Sequence, residues 1–330
     1  MTKFSILDLV HVNQGSSPKE ALNSSLKLAQ RAEEFGYERL WVAEHHNMPS
    51  IASAATSVVI GYLASGTKKI RVGAGGIMLP NHSPLVIAEQ FGTLATLYPG
   101  RIDLGLGRAP GTDQKTLSAL RRDPMSSNSF PQDVQELQAY FADPSEDQKI
   151  QAVPGSGLHV PLWILGSSTF GAQLAAALGL PYAFASHFAP ASLMEAIHIY
   201  RENFKPSKQL QKPYVMVGVN AIAADTDEEA KLLFTSLQQA FSNLHRGYRG
   251  GFLPPIEDIE TYWSSQERMM ASQMLAYSVV GSMDTVNKGL KKFIDVTKAD
   301  ELMIVGSIYD VDARIKSFEI ISKLCTHPRL

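Results

Sequence analysis

The chain has a single cysteine, Cys325, so no intramolecular disulfide can hold it together, and a reducing cytoplasm suits it. Charge of one sign is missing as well. Lys and Arg total 30 against 32 for Asp and Glu, which leaves no net field to recruit nucleic acid or an anionic membrane. No apolar run approaches the ~20 residues of a membrane span. The N-terminal MTKFSILDLVHVNQG, its short apolar run interrupted by Asp8, does not read as a signal peptide. Two catalytic signatures are also absent. None of the nine histidines stands in the His-x-His pair with which barrel hydrolases hold metal, and no Gly-x-Ser-x-Gly elbow marks a serine hydrolase. What remains is a cytoplasmic protein that handles small molecules, with no bound metal expected.

The chain that is present has an ordinary globular balance, 45% hydrophobic and 19% charged, over 330 residues. That length fits two average domains or one barrel. Short runs rich in apolar and β-branched residues recur: FSILDLV (4 to 10), RLWVAEHH (39 to 46), IRVGAGGIML (70 to 79), RIDLGLGR (101 to 108), PLWILGSS (161 to 168), PYAFASH (181 to 187), YVMVGVNAIAA (214 to 224) and ELMIVGSI (301 to 308). Most are apolar on both faces, as parallel strands covered by helices should be. Helix starts lie between them: the capping box Ser17-Pro18-Lys19-Glu20, the proline start Ser83-Pro84, Asp225 or Thr226 ahead of DEEA, and Asp310 ahead of VDARIKSFEIISKL. Eight alternations in this length predict an α/β fold, a closed (β/α)8 TIM-like barrel spanning 1–330 as one domain, with insertions after strands 4 and 7. An open doubly wound sheet is the alternative. The two insertions are the polar stretch 109 to 130 and the stretch of about 245 to 266, HRGYRGGFLPPIEDIETYWSSQ. Both are placed after strand C-terminal ends, where barrel sites are built, and the second is expected to be a lid.

Several motifs carry chemistry. GLGRAPG (105 to 111) looks like a dinucleotide fingerprint, but Pro110 and the polar loop after it deny the helix that such a motif needs. Arg108, just past a strand end, is placed to meet a ligand phosphate. LGSSTFGAQLAAALGL (165 to 180) passes from strand to helix through Ser167, Ser168 and Thr169, where free N–H groups, hydroxyls and a positive helix end converge; Ser167 or Ser168 as a plain N-cap is the competing reading. The two features belong to adjacent strands, and together they favour a phosphate pocket. VGAGGIMLP (72 to 80) places glycines inside a strand, which suits either a flat ring lying on Gly75 and Gly76 or a tight crossing of backbones. AEHHNMPS (43 to 50) ends the second strand. Adjacent strand residues point to opposite faces, so His45 and His46 do not chelate one ion together; His11 and His187, at other strand ends, are the histidines that a scattered metal site would need. A histidine here, tuned by Glu44, suits acid/base work near neutral pH.

The stretches EFGYERLWVAEHHNM, ASAATSVVIGYLA, GGIMLPNHSPLVIAEQFGTLATLYPGRIDLGLGRAPG, LGSS and LGLPYAFASHFAP cover much of the chain. Through them it resembles the luciferase-like flavin-dependent monooxygenases, the family of the bacterial luciferase subunits. The resemblance implies a TIM-like barrel that binds FMN, delivered reduced by a separate flavin reductase, and uses O2 to oxidise a small organic substrate. It implies a non-prolyl cis peptide at Gly75-Gly76 supporting the flavin ring, Arg108 on the flavin phosphate, and Ser167, Ser168 and Thr169 completing that phosphate site. It places Glu44 and His45 beside the flavin, the histidine as catalytic base, and leaves His46 structural. A homodimer through the second and third helices is implied too, and IASAATSVVIGYLA is apolar nearly all round. Gly107 stands where the luciferase α subunit has a reactive cysteine, so light emission is not carried over. Sister branches use the deazaflavin F420 or bind flavin without turnover, and both remain alternatives.

Overall fold

The structure, a computed structural model, describes residues 2–109 and 113–325. Among the described residues nine strands form: β1 (Lys3–Asp8), β2 (Arg39–Val42), β3 (Arg71–Met78), β4 (Ile102–Gly107), β5 (Leu162–Gly166), β6 (Tyr182–Phe184), β7 (Val215–Ala224), β8 (Val279–Ser282) and β9 (Glu301–Val305). All pair in parallel, and eight close into a barrel in the order β1-β2-β3-β4-β5-β6-β7-β9, with β9 returning to β1 from Lys3↔Glu301 to Leu7↔Val305. These eight are the runs read from the sequence. The ninth, β8, was not foreseen; it stays outside the ring and pairs only with the tip of β7, Ala221↔Val279 to Ala224↔Ser282.

The helices are α1 (Pro18–Phe35), α2 (Thr56–Ser65), α3 (Pro84–Leu97), α4 (Gln114–Ala119), α5 (Phe130–Phe141), α6 (Thr169–Leu178), α7 (Leu193–Asn203), α8 (Asp227–Arg246), α9 (Ser265–Met274), α10 (Met283–Thr297) and α11 (Val311–Cys325). Local chemistry starts them. Ser17 and Glu20 make the reciprocal capping box of α1, the Thr226 side chain accepts from Glu229 N–H at α8, and Asp310 accepts from Ala313 N–H at 2.8 Å. Among the described residues no helix is long and apolar enough to cross a membrane.

Both insertions carry structure of their own. The first contains α4 and a 3-10 turn, Pro124–Ser129, ahead of α5. The second needs correcting: the stretch 245 to 266 runs from the last residues of α8 into the start of α9 and does not follow a strand end. A well-capped 20-residue amphipathic helix reads from sequence as the ordinary return helix of a barrel unit. In the structure α8, α9 and β8 form one excursion, held at the C-terminal end by the pairing of β8 with the tip of β7, and α10 leads back to β9.

The barrel is filled, not hollow. Residues alternate inward, so Leu7, Trp41, Trp163, Met216 and Met303 form an interior cluster, with the Trp41 and Trp163 rings edge to face at 5.2 Å. The glycines of β3 make room for it. A Cβ on Gly73 would stand 2.8 Å from Trp41 Nε1, and one on Gly75 3.1 Å from Trp41 Cε3, while one on Gly76 would stand 2.7 Å from the Gly105 carbonyl of the neighbouring strand. Gly73 and Gly75 thus give room to the protein's own Trp41, and Gly76 permits the close approach of β4.

Below this layer, at the strand starts, lies a buried ionic network. Arg39 donates to Asp103 at 2.7 Å and to Glu301 at 2.8 Å, Trp41 Nε1 donates to Asp103 at 3.1 Å, and the Tyr214 hydroxyl donates to Glu301 at 2.8 Å. Charge is balanced because Arg71 reaches Asp103 from β3 at 3.0 Å. Removing one partner from such a set leaves a buried charge uncompensated. Arg39→Ala should therefore lower the unfolding free energy by ~3–5 kcal/mol, read by urea denaturation at neutral pH; a loss below ~1 kcal/mol would contradict this account of the network.

Candidate active site

Glu44 is the first residue of interest beyond β2. It has almost no solvent exposure, and it accepts hydrogen bonds from His46 Nε2 at 2.7 Å, His82 Nε2 at 2.9 Å, Asn81 Nδ2 at 3.3 Å and Met78 N–H at 2.9 Å. A carboxylate only accepts, so both imidazoles donate from Nε2. Its own N–H donates to the Gly76 carbonyl at 3.2 Å. Burial alone would raise the Glu44 pKa; donation from His46, His82 and Met78 outweighs it and holds the carboxyl down at about 2. The Glu44, His46 and His82 ligand atoms lie within 4.8 Å of one another, near enough to share an ion. Their separations are hydrogen-bond lengths, and Met78 and Asn81 take the remaining lone pairs, so the arrangement is a closed hydrogen-bond hub.

The strand exits are tied to one another across the mouth. Residues 10 to 14 run between two neighbours. On one side His11 bridges to Ile51, with Val12 N–H donating to the Ser50 carbonyl at 2.9 Å. On the other, Phe252 N–H donates to Val12 and its carbonyl accepts from Gln14, both at 2.8 Å, and the Phe252 ring stacks on His11 at 4.4 Å. The stretch expected as a lid is thus carried over the exit of β1. Asp8 anchors this segment from below, accepting from Val10 N–H at 2.9 Å and from Arg314 at 2.8 Å.

At the opposite edge, the Arg108 guanidinium stands 3.9 Å from the centre of the Phe170 ring in the first turn of α6. It is exposed and meets no carboxylate among the described residues. The Ser168 hydroxyl makes no cap hydrogen bond, which leaves the first N–H groups of α6 and the hydroxyls of Ser167 and Ser168 free for an anion. Ser168 is the N-cap residue of α6 by position and extended backbone, but its hydroxyl does not cap the helix. Pro110 and Gly111 lie outside the described residues.

Of the residues singled out in the sequence, Arg108 stands over Phe170, the residue that follows the turn of Ser167, Ser168 and Thr169 in the first turn of α6, and the Gly75-Gly76 peptide is cis. Glu44 meets His46 and His82, whereas His45 makes no hydrogen bond to it. Sequence reading had missed His82, Phe170 and Phe252. His82 was findable by the rule that drew attention to His45, since LPNHSP follows the third strand directly; nothing in the sequence alone points to Phe170 or Phe252.

A family profile described as luciferase-like monooxygenase matches residues 2–297. The chain belongs to the luciferase-like monooxygenase family. It is 56% identical over 319 residues to a luciferase-like monooxygenase of Escherichia coli (strain K12), covering 96% of this chain and 95% of that one. The N-acetyl-S-alkylcysteine monooxygenase of Bacillus subtilis (strain 168) is 37% identical over 238 residues, 70% of each chain. The crystal structure of apo-MsnO8 superposes with a TM-score of 0.92 at 34% identity, covering all of both chains. As a family member the chain is an oxidoreductase of the monooxygenase type, and the hub around Glu44 lies at the barrel face where such folds place their sites.

Because the Glu44 pKa falls from an ordinary 4.5 to about 2 on folding, its contribution to stability is full above pH 4.5 and is lost as the pH drops through 2. Wild type should exceed Glu44→Gln in stability at pH 7, the gap closing by on the order of 3 kcal/mol between those limits. A gap that does not change with pH in paired denaturation curves would show that Glu44 is not held ionised.

Proposed function

We propose that this chain is a cytoplasmic flavin-dependent monooxygenase that takes reduced FMN from a separate flavin reductase and, with O2, oxidises a small organic substrate. The observation that carries the reading is the anion site made by Arg108, Phe170 and the uncapped start of α6. A phosphate there would meet one guanidinium, free backbone N–H groups and the hydroxyls of Ser167, Ser168 and Thr169. These groups fit FMN. They also fit the phosphate of F420, and the choice of FMN follows the family resemblance.

With O2, reduced FMN supplies oxygen transfer, chemistry that needs dry surroundings. The residues of this chain provide them. The flavin ring would lie over Gly75 and Gly76 with His45 at its edge, and Glu44 would fix the surrounding turns without touching the reacting atoms. His45 is half-buried, and burial keeps its pKa below the ordinary value, so it is neutral at pH 7 and meets the reacting region as an uncharged hydrogen-bonding imidazole. The segment around Phe252 covers the mouth. Exposed Val58 and Tyr62 on α2 and Val86 and Leu97 on α3 support assembly as a homodimer through those helices.

Arg108→Ala should weaken FMN binding by about 10- to 100-fold, the equivalent of one or two charge-assisted hydrogen bonds, while riboflavin binding changes little. An equal loss for both ligands in fluorescence titrations would remove Arg108 from the phosphate. Phe252→Ala should admit water and raise the share of reducing equivalents recovered as hydrogen peroxide; an unchanged share would mean that this segment is not a lid.

A further inference from the structure

Three imidazoles stand at the barrel mouth: His11 after β1, His45 after β2 and His187 after β6. In each, Nδ1 is shut off from solvent and has no hydrogen-bond partner. At His187 the cause is visible. A Cβ on Gly218 of β7 would lie 2.3 Å from that nitrogen, so the Nδ1 edge of the ring packs against bare strand. The position is fixed by neighbouring bonds, Asn220 Nδ2 donating to the His187 carbonyl and the Ser186 hydroxyl donating to the Gly218 carbonyl, both at 2.6 Å.

A neutral imidazole carries its proton on one nitrogen. Placed on Nδ1, that proton would be a buried N–H without an acceptor, an arrangement that native proteins almost never tolerate; a bare lone pair there is the smaller cost. On Nε2 it has an outlet. His11 Nε2 meets the Ser307 hydroxyl at 3.1 Å. In His45 and His187, Nε2 has no partner among the described residues and is not among the atoms cut off from solvent.

We infer that His45 and His187 present Nε2–H donors into the barrel mouth and together bind an oxygen acceptor of the substrate, a carbonyl, carboxylate or sulfonate oxygen. Ser307 accepts from His11 Nε2–H, so His11 spends its donor inside the protein and is not part of the pair. The nearby carboxylates have no lone pair to spare for direct contact with an ammonium group: Asp8 is engaged by Arg314, Ser25 and Val10 N–H, and Glu44 by its four donors. A site that offers N–H donors and no free acceptor favours the oxygen of a neutral or anionic substrate over an ammonium group. Burial lowers the pKa of all three histidines, to about 4 for His11 and His187. The charged and titratable neighbours are Arg314, Asp8 and His45 for His11, Glu44 and His46 for His45, and His45 for His187. The inference rests on the monooxygenase reading for the word substrate, but the tautomers and the donor site do not depend on flavin.

The test uses 15N-histidine-labelled full-length protein, with and without FMN, and two-bond proton–nitrogen correlation spectra assigned through His45→Asn and His187→Asn. The expected result is a protonated Nε2 and bare Nδ1 for both residues, with signals that shift on adding butyrate and stay in place on adding butylamine. His187→Gln, whose amide N–H reaches about the place of Nε2, should keep the butyrate response at His45, and His187→Asn, whose amide reaches only the Nδ1 position, should lose it. A protonated Nδ1 at either residue, no response to butyrate, or an equal response to butylamine would overturn the inference. Failure of FMN to bind would instead overturn the proposed function and leave these spectra as they are.

Discussion

The mouth of this barrel depends on one buried carboxylate. Glu44 collects donors from three pieces of chain: His46 beyond its own strand, Met78 at the end of β3, and Asn81 and His82 in the turn before α3. Without that acceptor, two imidazoles, an amide and a backbone N–H would converge on a space with nothing to receive them. His45 lies between Glu44 and His46 in the chain but makes no hydrogen bond to the hub, which leaves it to face the mouth. Its freedom is a product of its neighbours being held.

The interior below explains why the mouth can be so ordered. Trp41 and Trp163 fill the barrel, the glycines of β3 yield the room they need, and the Arg39, Asp103 and Glu301 network closes the strand starts. A floor packed in this way confines ligand chemistry to the C-terminal face, where loops of different origin meet. The arrangement has a cost. Charges sequestered at the strand starts add little net stability as a set, but each becomes expensive once its partner is removed.

The eight barrel strands were legible because parallel strands covered on both faces leave nearly unbroken apolar runs, and the capped helices were legible because Ser17, Thr226 and Asp310 act locally. The excursion after β7 was not. VVGS is too short to announce a strand, and α8 differs from a return helix only in where its end is pinned, a long-range fact. At the candidate site, a rule about strand exits singled out Glu44, His45, Arg108 and the Ser167 turn. The partners were out of reach, because past the last ladder bond at Val42 the direction of a side chain is set by tertiary contacts, as it is for His46 and His82 on Glu44.

The central claim is that the anion site between Arg108 and α6 and the dry mouth beside Glu44 and His45 were built around a flavin mononucleotide. The most direct measurement is a titration of the purified protein with oxidised FMN, reduced FMN and F420, followed by absorbance and fluorescence. The account predicts saturable FMN binding, with the reduced form held and F420 bound more weakly than FMN. No binding of either FMN form at micromolar concentration, or binding of F420 in preference to FMN, would contradict it.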